Sequence, residues 1–556
     1  IAKDLGIELS NRLLMKAWKK LFECQAHDSL AGCVSDSVAQ DISHRLKEIS
    51  EICASIENLI LKRISEGLAL QANQFLILHP TPVPFQGEKF VKVVSRTNNI
   101  KVIGADSSVL EAVYIPSRKN IMEETPAGNR FIEEEGYYLL TVQVTCAFSG
   151  LGYRVFTFEE QETTPEFSLD QNTWIRNGKY TLSFEDGHLI YSDGKQQIVD
   201  FLSIIDDSNA GDTYDYSPIL NDQPITLSFA SCKGKQETLV LEGSLNLPYT
   251  IEERMKGIAT KTFAYTLILQ LTKNGEVNAK LRFKNTLLNH RIRVKARLNK
   301  PIERAVAAIQ FGYLEKRNQT LENWQEKYAE KPVNIEPFEK QVVVYDQENA
   351  LVFYSEQSKE YEYLDDSLYV TVLATTDSLG KPDLLYRPGR ASGDTTKKGH
   401  IMIETPLAQM ENYEMVFDFS LRVASTAIPE ELLSTWKTVK EQPSISYQLQ
   451  DLNYFIYRID NKIQKRIDPL SLTDMSLSLL SCSLEPGVGV SALHNAYYSE
   501  GIVIRFVNST NKERSLEPKK LFNGYAYQRI NALEEPLEAD HIIHAYGVAT
   551  YLLTKN

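Results

Sequence analysis

The 556-residue chain lacks any apolar run approaching the ~20 residues that a membrane-spanning helix requires. It has only six cysteines and no Cys-x-x-Cys pair, which predicts reduced thiols and a cytosolic protein. No phosphate-binding loop, nucleotide-binding fingerprint, nucleophile elbow or His-Glu-x-x-His motif occurs. Basic residues are outnumbered, with 60 Lys and Arg against 73 Asp and Glu and a formal net charge of −13. We therefore expect neither a nucleic acid nor a membrane as partner.

The chain begins IAKD, with neither an initiator Met nor a signal-peptide pattern, and we expect it to be a fragment of a longer protein. Helical spacing of apolar residues predicts a first helix over residues 10–25. A second helix of about 25 to 30 residues is predicted over residues 38–64, with Ser37 and Gln40 as its capping box. Helices this long must pack on something, so a small bundle is expected.

From residue 75 onward the apolar pattern changes to a period of two, as in residues 141–146 (TVQVTC). Asn274-Gly275 separates two alternating runs and predicts a hairpin with a type I′ turn. Three more Asn-Gly or Asp-Gly pairs between residues 177 and 194 predict further tight turns. One later helix is predicted, near residues 429–439. Strands joined by short turns, without alternating helices, predict antiparallel β-sandwiches.

A His and an Asp stand side by side between the two predicted helices, where residues 25–33 read QAHDSLAGC. A neutral imidazole is the commonest metal ligand, and a carboxylate can accept hydrogen bonds from a bound molecule, so His27 and Asp28 are candidate site residues. One alternative is a helix-connecting turn in which Asp28 caps and His27 is a satisfied polar group. Another is a structural zinc on Cys24, His27 and Cys33, but a closed site needs four ligands and no fourth is near in the sequence.

The stretch from Trp18 to Gly32 and the long helix after it resemble the middle domain of the family 38 glycoside hydrolases, the retaining α-mannosidases. That family carries a Gln-x-His-Asp-x-(Leu/Ile)-x-Gly segment at this junction. The resemblance implies that His27 is one ligand of an active-site Zn²⁺ and that Asp28 contacts the mannose. Further segments resemble the family in the same order: residues 150–155 (GLGYRV), 211–218 (GDTYDYSP), 289–294 (NHRIRV), 387–390 (RPGR), 404–406 (ETP), 490–493 (VSAL) and 503–506 (VIRF).

The resemblance, together with the pattern, implies a mainly β, multi-domain protein with an N-terminal α-helical bundle. The expected domains are a helical bundle at residues 1–70 and a small β-sandwich at 71–165. A large β-supersandwich at 166–435 and a C-terminal β-sandwich at 436–556 follow.

The implied activity is that of a bacterial, cytoplasmic, zinc-dependent α-mannosidase that hydrolyses terminal α-mannosides with retention. In the family, a Tyr of the large sandwich touches the mannose; Tyr214 is the first candidate here and Tyr216 the second, while Asp212 is expected to be a turn residue. The nucleophile, the acid/base and the other zinc ligands lie on an N-terminal barrel, so no catalytic residue is assigned in this chain. We expect the chain alone to be inactive and to need that barrel as partner; a homodimer is a further expectation.

A non-catalytic carbohydrate-binding β-sandwich protein is the alternative function, because sandwiches host many activities. A lectin has no need of a His-Asp pair at a helix junction, and it would hold calcium or no metal. His290, Arg387 and Arg390 are expected to stabilise strands and loops rather than to contact sugar. The sequence leaves linkage and aglycone specificity open, including any requirement for a 6-phosphate.

Overall fold

The computed structural model describes residues 1–162, 170–319, 322–392, 395–396, 399–450, 470–522, 524–538 and 540–555. Antiparallel sheets dominate and the long helices lie near the N-terminus, which confirms the fold class expected from the sequence. The chain divides into two compact units. The first consists of Ile1–Leu21, Leu46–Phe167 and Glu430–Asn556, and the second of Phe22–Arg45 and Ser168–Pro429.

The α-helices of the described residues are α1 (Arg12–Cys24), α2 (His27–Ala31), α3 (Asp36–Gly67), α4 (Ile251–Met255), α5 (Glu430–Lys440) and α6 (Pro518–Leu521). The predicted helices at residues 10–25, 38–64 and 429–439 are thus confirmed as α1, α3 and α5. The predicted capping box is wrong, because α3 already begins at Asp36 and the Ala39 amide donates to the Ser35 carbonyl. Among the described helices, none combines the length and apolarity that crossing a membrane demands.

The strands are, in chain order, β1 (Gln74–His79), β2 (Phe85–Ser95), β3 (Ile100–Val102), β4 (Ser107–Ile115), β5 (Arg118–Thr125), β6 (Gly128–Glu134), β7 (Tyr137–Phe148), β8 (Leu151–Glu160), β9 (Asp170–Asn172), β10 (Trp174–Asn177), β11 (Tyr180–Glu185), β12 (His188–Ser192), β13 (Gln197–Val199), β14 (Leu202–Ser208), β15 (Ile225–Leu227), β16 (Ser231–Lys235), β17 (Thr238–Leu247), β18 (Lys261–Leu271), β19 (Val277–Lys284), β20 (His290–Arg297), β21 (Arg304–Ile309), β22 (Gly312–Lys316), β23 (Glu336–Pro337), β24 (Gln341–Tyr345), β25 (Asn349–Tyr354), β26 (Glu360–Leu364), β27 (Ser367–Ala374), β28 (Thr395–Thr396), β29 (Gly399–His400), β30 (Glu414–Ser425), β31 (Ile445–Tyr447), β32 (Ser476–Leu480), β33 (Val488–Asn495), β34 (Ile502–Asn508), β35 (Arg514–Ser515), β36 (Tyr525–Ile530), β37 (Ile542–Ile543) and β38 (Val548–Lys555).

The first unit contains two apolar cores between sheets. A sheet of order β3-β8-β1-β31, in which β32 also pairs with β8, packs on a sheet of order β2-β7-β4. A sheet of order β33-β34-β38-β36 lies over the other core. Although β31 and β32 follow residue 436, they pair with β1 and β8, so this part of the chain returns to the first sandwich. The four-domain division stays a prediction.

The second half of α3 is buried because it packs against a sheet of the same unit. Leu61 and Ile64 share an apolar core with Leu76 of β1, Tyr153 of β8 and Tyr447 of β31. Burying such side chains stabilises the fold by roughly 1.5–3 kcal/mol each. This packing fixes the direction of the long helix.

The second unit is built around two large sheets. One has ten strands in the order β22-β21-β24-β25-β30-β19-β18-β17-β16-β9, and the other has six in the order β15-β14-β20-β27-β26-β23. A four-stranded sheet, β10-β11-β12-β13, shares their continuous apolar core. The alternation read from the sequence is visible in β18 and β19, where every second residue is buried. This unit carries residues 211–218, 387–390 and 22–45.

The hairpin predicted around Asn274-Gly275 is confirmed, since β18 pairs with β19 and Leu271 lies opposite Val277. The predicted turn type is wrong. Residues 272–276 form the connection, in which the Gly275 amide donates to Thr272 O at 3.0 Å and only Gly275 of the pair has a positive φ, +78°. A two-residue turn with positive φ at both positions, +49° and +86°, occurs instead at Asp186-Gly187.

Candidate functional site

His27 and Asp28 open the short helix α2, which follows closely on the end of α1. The helix is five residues long and ends at Ala31. Gly32 follows, and its φ of +79° lets its amide donate to the Asp28 carbonyl. Ala26 precedes α2 without providing a side-chain cap. The side chain of His27 is 96% exposed and that of Asp28 54% exposed, and His27 Nε2 lies 3.5 Å from Asp28 Oδ1. The predicted junction is thus a separate turn of helix that presents both side chains to solvent.

Cys33 lies beneath Asp28 and constrains it. Its Sγ lies 3.5 Å from Asp28 Oδ1 and 3.8 Å from the Asp28 carbonyl oxygen, distances suited to a weak S–H donor. Burial, and then the hydrogen bond to Asp28, raise the pKa of the Cys33 thiol. In this contact the Cys33 thiol is the donor and the Asp28 oxygens accept.

The His27–Asp28 pair offers a metal one imidazole nitrogen and one carboxylate oxygen. The chemistry of the pair thus suits one zinc ligand, His27, beside a carboxylate that accepts hydrogen bonds from a molecule bound there. Within the described ranges, no group of three or more His, Cys, Asp or Glu side chains is placed to hold a metal. The alternative of a closed structural zinc on Cys24, His27 and Cys33 finds no support here.

The segment carrying His27 is attached to the loops of the large sheets through Asp36. Asp36 Oδ2 accepts the amide of Leu407 at 3.0 Å, at the short 3₁₀ helix Pro406–Gln409. The adjoining Ala408 carbonyl accepts the amide of Thr376, whose hydroxyl donates to the Gly211 carbonyl at 2.8 Å. These bonds connect α3 to the loop that holds Tyr214. Nothing in the sequence indicates this role of Asp36, because Leu407 lies 371 positions away.

Asp212 shapes the loop that presents Tyr214, as a turn residue. Its Oδ1 accepts the amides of Tyr214 and Asp215, both at 2.9 Å, and its Oδ2 accepts the amide of Lys381 at 2.8 Å. The buried guanidinium of Arg387 also donates to Asp212 Oδ2, at 2.5 Å. Gly211 is required in this loop, because a Cβ there would lie 2.0 Å from the carbonyl oxygen of Asp215.

Tyr214 and Tyr216 differ in their surroundings. Tyr214 is 38% exposed, whereas Tyr216 is partly buried, with the Arg291 guanidinium over its ring at 4.4 Å and the Tyr386 ring at 6.3 Å. Burial raises the pKa of Tyr216 far above its usual value. Of the two tyrosines, Tyr214 is the one presented to solvent.

The remaining residues named from the sequence hold the loops and strands together. His290 is buried, with Nδ1 2.9 Å from Asp206 Oδ1 and Nε2 2.9 Å from Asn285 Oδ1. Arg387 also pairs with Asp215, and its Nε donates to the Arg390 carbonyl at 3.0 Å. The Arg390 side chain is exposed and pairs with Glu330. The structure thus brings His27 and Asp28 together and places Tyr214 on a separate loop of the same unit.

No protein-family model and no curated protein sequence matches the chain. Solved structures do match it. A protein of glycosyl hydrolase family 38 from Enterococcus faecalis aligns with a TM-score of 0.74 and 16% identity over 100% of this chain and 67% of that one. An α-mannosidase from Enterococcus faecalis V583 aligns with a TM-score of 0.73 and 16% identity, over 100% of this chain and 64% of that one. The chain therefore shares the fold of these proteins and spans about two thirds of their length.

Proposed function

We propose that this chain is part of a zinc-dependent, retaining α-mannosidase that hydrolyses terminal α-mannosides. In this proposal His27 is one zinc ligand, while Asp28 and Tyr214 contact the sugar. The observation that carries it is the exposed His27–Asp28 pair at the start of α2, in a chain whose fold matches family 38 proteins over its full length. Of these neighbours, one is described as an α-mannosidase.

The catalytic carboxylates are proposed to lie on a barrel domain outside this chain. Retaining glycosidases need two carboxyl groups about 5–5.5 Å apart, one as nucleophile and one as acid/base. The matched structures are longer than this chain, which leaves room for such a domain in the proposed protein. Exposed apolar side chains on the N-terminal helices, which a packing partner would cover, also support it: Leu14, Met15, Trp18, Phe22, Leu30, Val38 and Leu46.

Each proposed contact has a distinct chemical role. When bound, a zinc ion supplies Lewis-acid polarisation and orientation of sugar hydroxyls. His27 must be neutral to give its nitrogen lone pair to a metal, and its exposure leaves that nitrogen accessible. Asp28, whose Oδ1 accepts the Cys33 thiol, can also accept hydrogen bonds from sugar hydroxyls. Tyr214 offers an aromatic face and a hydroxyl on a loop fixed by Asp212 and Arg387.

We further propose that the protein works in a reducing compartment, the bacterial cytoplasm. All six cysteines are free thiols, of which Cys24, Cys33, Cys146 and Cys482 are buried. Free thiols persist where glutathione and thioredoxin keep them reduced.

The first test is His27→Ala in the longer protein that the proposal requires. Losing one nitrogen ligand should lower bound zinc at least about tenfold at limiting metal, and α-mannosidase activity should fall with it. His44→Ala is the matched control, because His44 is also an exposed helical His. Zinc is measured by elemental analysis after dialysis, and the fold by circular dichroism. A folded His27→Ala protein with the zinc content of the wild type would refute the role of His27.

A further inference from the structure

Two neighbouring tyrosines project from the turn between β33 and β34. Tyr497 is 68% exposed and Tyr498 is 67% exposed. Aromatic side chains carry a large apolar surface, which favours their burial. Their ring centroids lie 4.7 Å apart with an angle of 78° between the planes. The two rings therefore meet at nearly a right angle and form a corner.

This turn is held by one carboxylate from a different loop. Glu534 accepts the Tyr497 amide at 2.5 Å, the Tyr498 amide at 2.9 Å and the Ser499 hydroxyl at 3.0 Å. Burial alone would raise the pKa of Glu534, but these donors outweigh it and lower the pKa. Glu534 itself has a φ of +62°, an uncommon conformation for a residue with a side chain. The backbone of the turn that carries the two rings is thus fixed before any ligand arrives, which reduces the entropic cost of binding.

The tyrosine corner forms one wall of a cavity of about 270 Å³. This volume lies just below the range of about 300–1,000 Å³ for small-molecule pockets, which suits a small ligand of one or two rings. The other walls combine polar side chains with small and aliphatic ones: His494, Val503, Arg505, Ile530, Asn531, Ala532, Glu534 and Thr550.

The charges around this cavity are already balanced. Arg505 and Glu534 are opposite in sign, the Arg505 Nε donates to the Thr550 hydroxyl at 3.2 Å, and Glu534 is occupied by its three donors. An anionic ligand would meet the Glu534 carboxylate, and a cationic ligand would meet the Arg505 guanidinium. A neutral ligand with hydroxyl groups suits both, because imidazole and guanidinium groups hydrogen-bond to hydroxyls.

We propose that the Tyr497–Tyr498 cavity binds a neutral pyranose ring of a polysaccharide or glycan. The sugar would lay its C–H face on a tyrosine ring, and His494 and Arg505 would reach its hydroxyls, while Asn531 shapes its own loop by accepting the amides of Leu533 and Glu535. A protein partner fits less well, since a specific protein interface draws on about 20–30 residues a side, whereas ten residues line this cavity. The proposal does not rest on the proposed hydrolysis, because it uses neither His27 nor zinc.

The test is affinity electrophoresis of the 556-residue chain in gels containing soluble mannan, galactomannan, dextran or xylan, followed by calorimetric titration with the retarding glycan. The variants are Tyr497→Ala/Tyr498→Ala, the conservative Tyr497→Phe/Tyr498→Phe, and Tyr114→Ala. Tyr114 is a matched control because it is an exposed tyrosine that packs on another ring, that of Tyr138, at 5.1 Å. Circular dichroism verifies the fold of each variant.

We expect retardation by at least one glycan, with Kd raised about tenfold or more by the double alanine variant. The double phenylalanine variant should keep most of the affinity, because it retains both rings, and Tyr114→Ala should bind like the wild type. Absence of binding to all four glycans overturns the proposal. So does wild-type affinity in the folded double alanine variant. If the double alanine variant fails to fold, the double phenylalanine variant is compared with Tyr114→Ala instead. An equal loss of glycan affinity in these two variants would also contradict the proposal. Mass-spectrometric capture of a protein on the cavity without any glycan binding would favour the protein-partner alternative.

Discussion

Arg387 is the residue on which the geometry of the Tyr214 loop most depends. It is buried, pairs with Asp212 and Asp215, and donates to the carbonyls of Lys381 and Arg390. Asp212 in turn fixes the amides of the loop. Removing one partner of a buried ion pair is costly, because it leaves the other charge without compensation. The conformation of the whole loop therefore depends on one guanidinium.

Arg387→Ala should lower the free energy of unfolding by about 3 kcal/mol or more and should loosen residues 211–218. Arg390→Ala is the control, because its exposed pair with Glu330 should contribute about 1 kcal/mol or less. Urea unfolding measures the stability, and hydrogen exchange measures the protection of the loop amides. Equal destabilisation by the two variants would show that the buried cluster is not what holds the loop.

At this scale the sequence predicts the chemistry of a residue better than its contacts. The adjacent His27 and Asp28 could be singled out because they stand in a recognisable local segment. The contact of Asp36 with the Leu407 amide could not, because the two residues are 371 positions apart. Glu534 is similar, since its bonds to Tyr497 and Tyr498 depend on two turns meeting in space. Single-residue chemistry is local, whereas these contacts are products of the fold.

Among the elements, α1 and α3 are joined by a charged contact that is sensitive to pH. Glu48 of α3 accepts Lys16 Nζ at 2.5 Å and Lys20 Nζ at 2.8 Å, both from α1. The hydrogen bonds from Lys16 and then Lys20 lower the pKa of Glu48 to about 2. Because the pKa is lower in the folded state, the stabilising effect is fully present above the ordinary carboxyl value near 4.5. It is lost as the pH falls from there through about 2.

Glu48→Gln should therefore reduce the protection of α1 amides at pH 7 and have little effect near pH 2. Hydrogen exchange followed by mass spectrometry measures this local opening directly, provided that rates are corrected for intrinsic exchange. Glu51→Gln is a suitable control, since Glu51 lies on the same helix and pairs only loosely with Lys47, at 3.8 Å. A difference between Glu48→Gln and wild type that is independent of pH would contradict the ionic explanation.

The elements most accurately predicted are those with long periodic patterns. The positions of α1, α3 and α5 were predicted to within about three residues at each end, and the pair β18–β19 follows from alternation around Asn274-Gly275. The turn type of that hairpin was not predictable, because the Thr272–Glu276 hydrogen bond closes a longer loop. The short helix α2 was also missed, since one turn of helix carries no periodic signal.

For the whole molecule, the organisation depends on pairings between distant parts of the chain. Leu76 of β1 lies opposite Tyr447 of β31, and residues 22–45 belong to the same unit as residues 168–429. Alternation of apolar and polar residues shows that a segment forms a strand. It does not show which strand pairs with that segment, because many strands share the same pattern. The mainly antiparallel β class was predictable from composition and pattern. The assembly of the two units from separated segments was not.

In the proposed mannosidase, His27 and Asp28 complete a site whose other residues lie elsewhere in a longer protein. Release of nitrophenol from p-nitrophenyl α-mannoside, compared at equal molar concentration for that longer protein and for the 556-residue chain with added zinc, tests it most directly. We predict steady turnover by the longer protein and none above background by the chain alone. Turnover by the chain alone at the rate of the longer protein, or an inactive longer protein that retains zinc, would contradict the account.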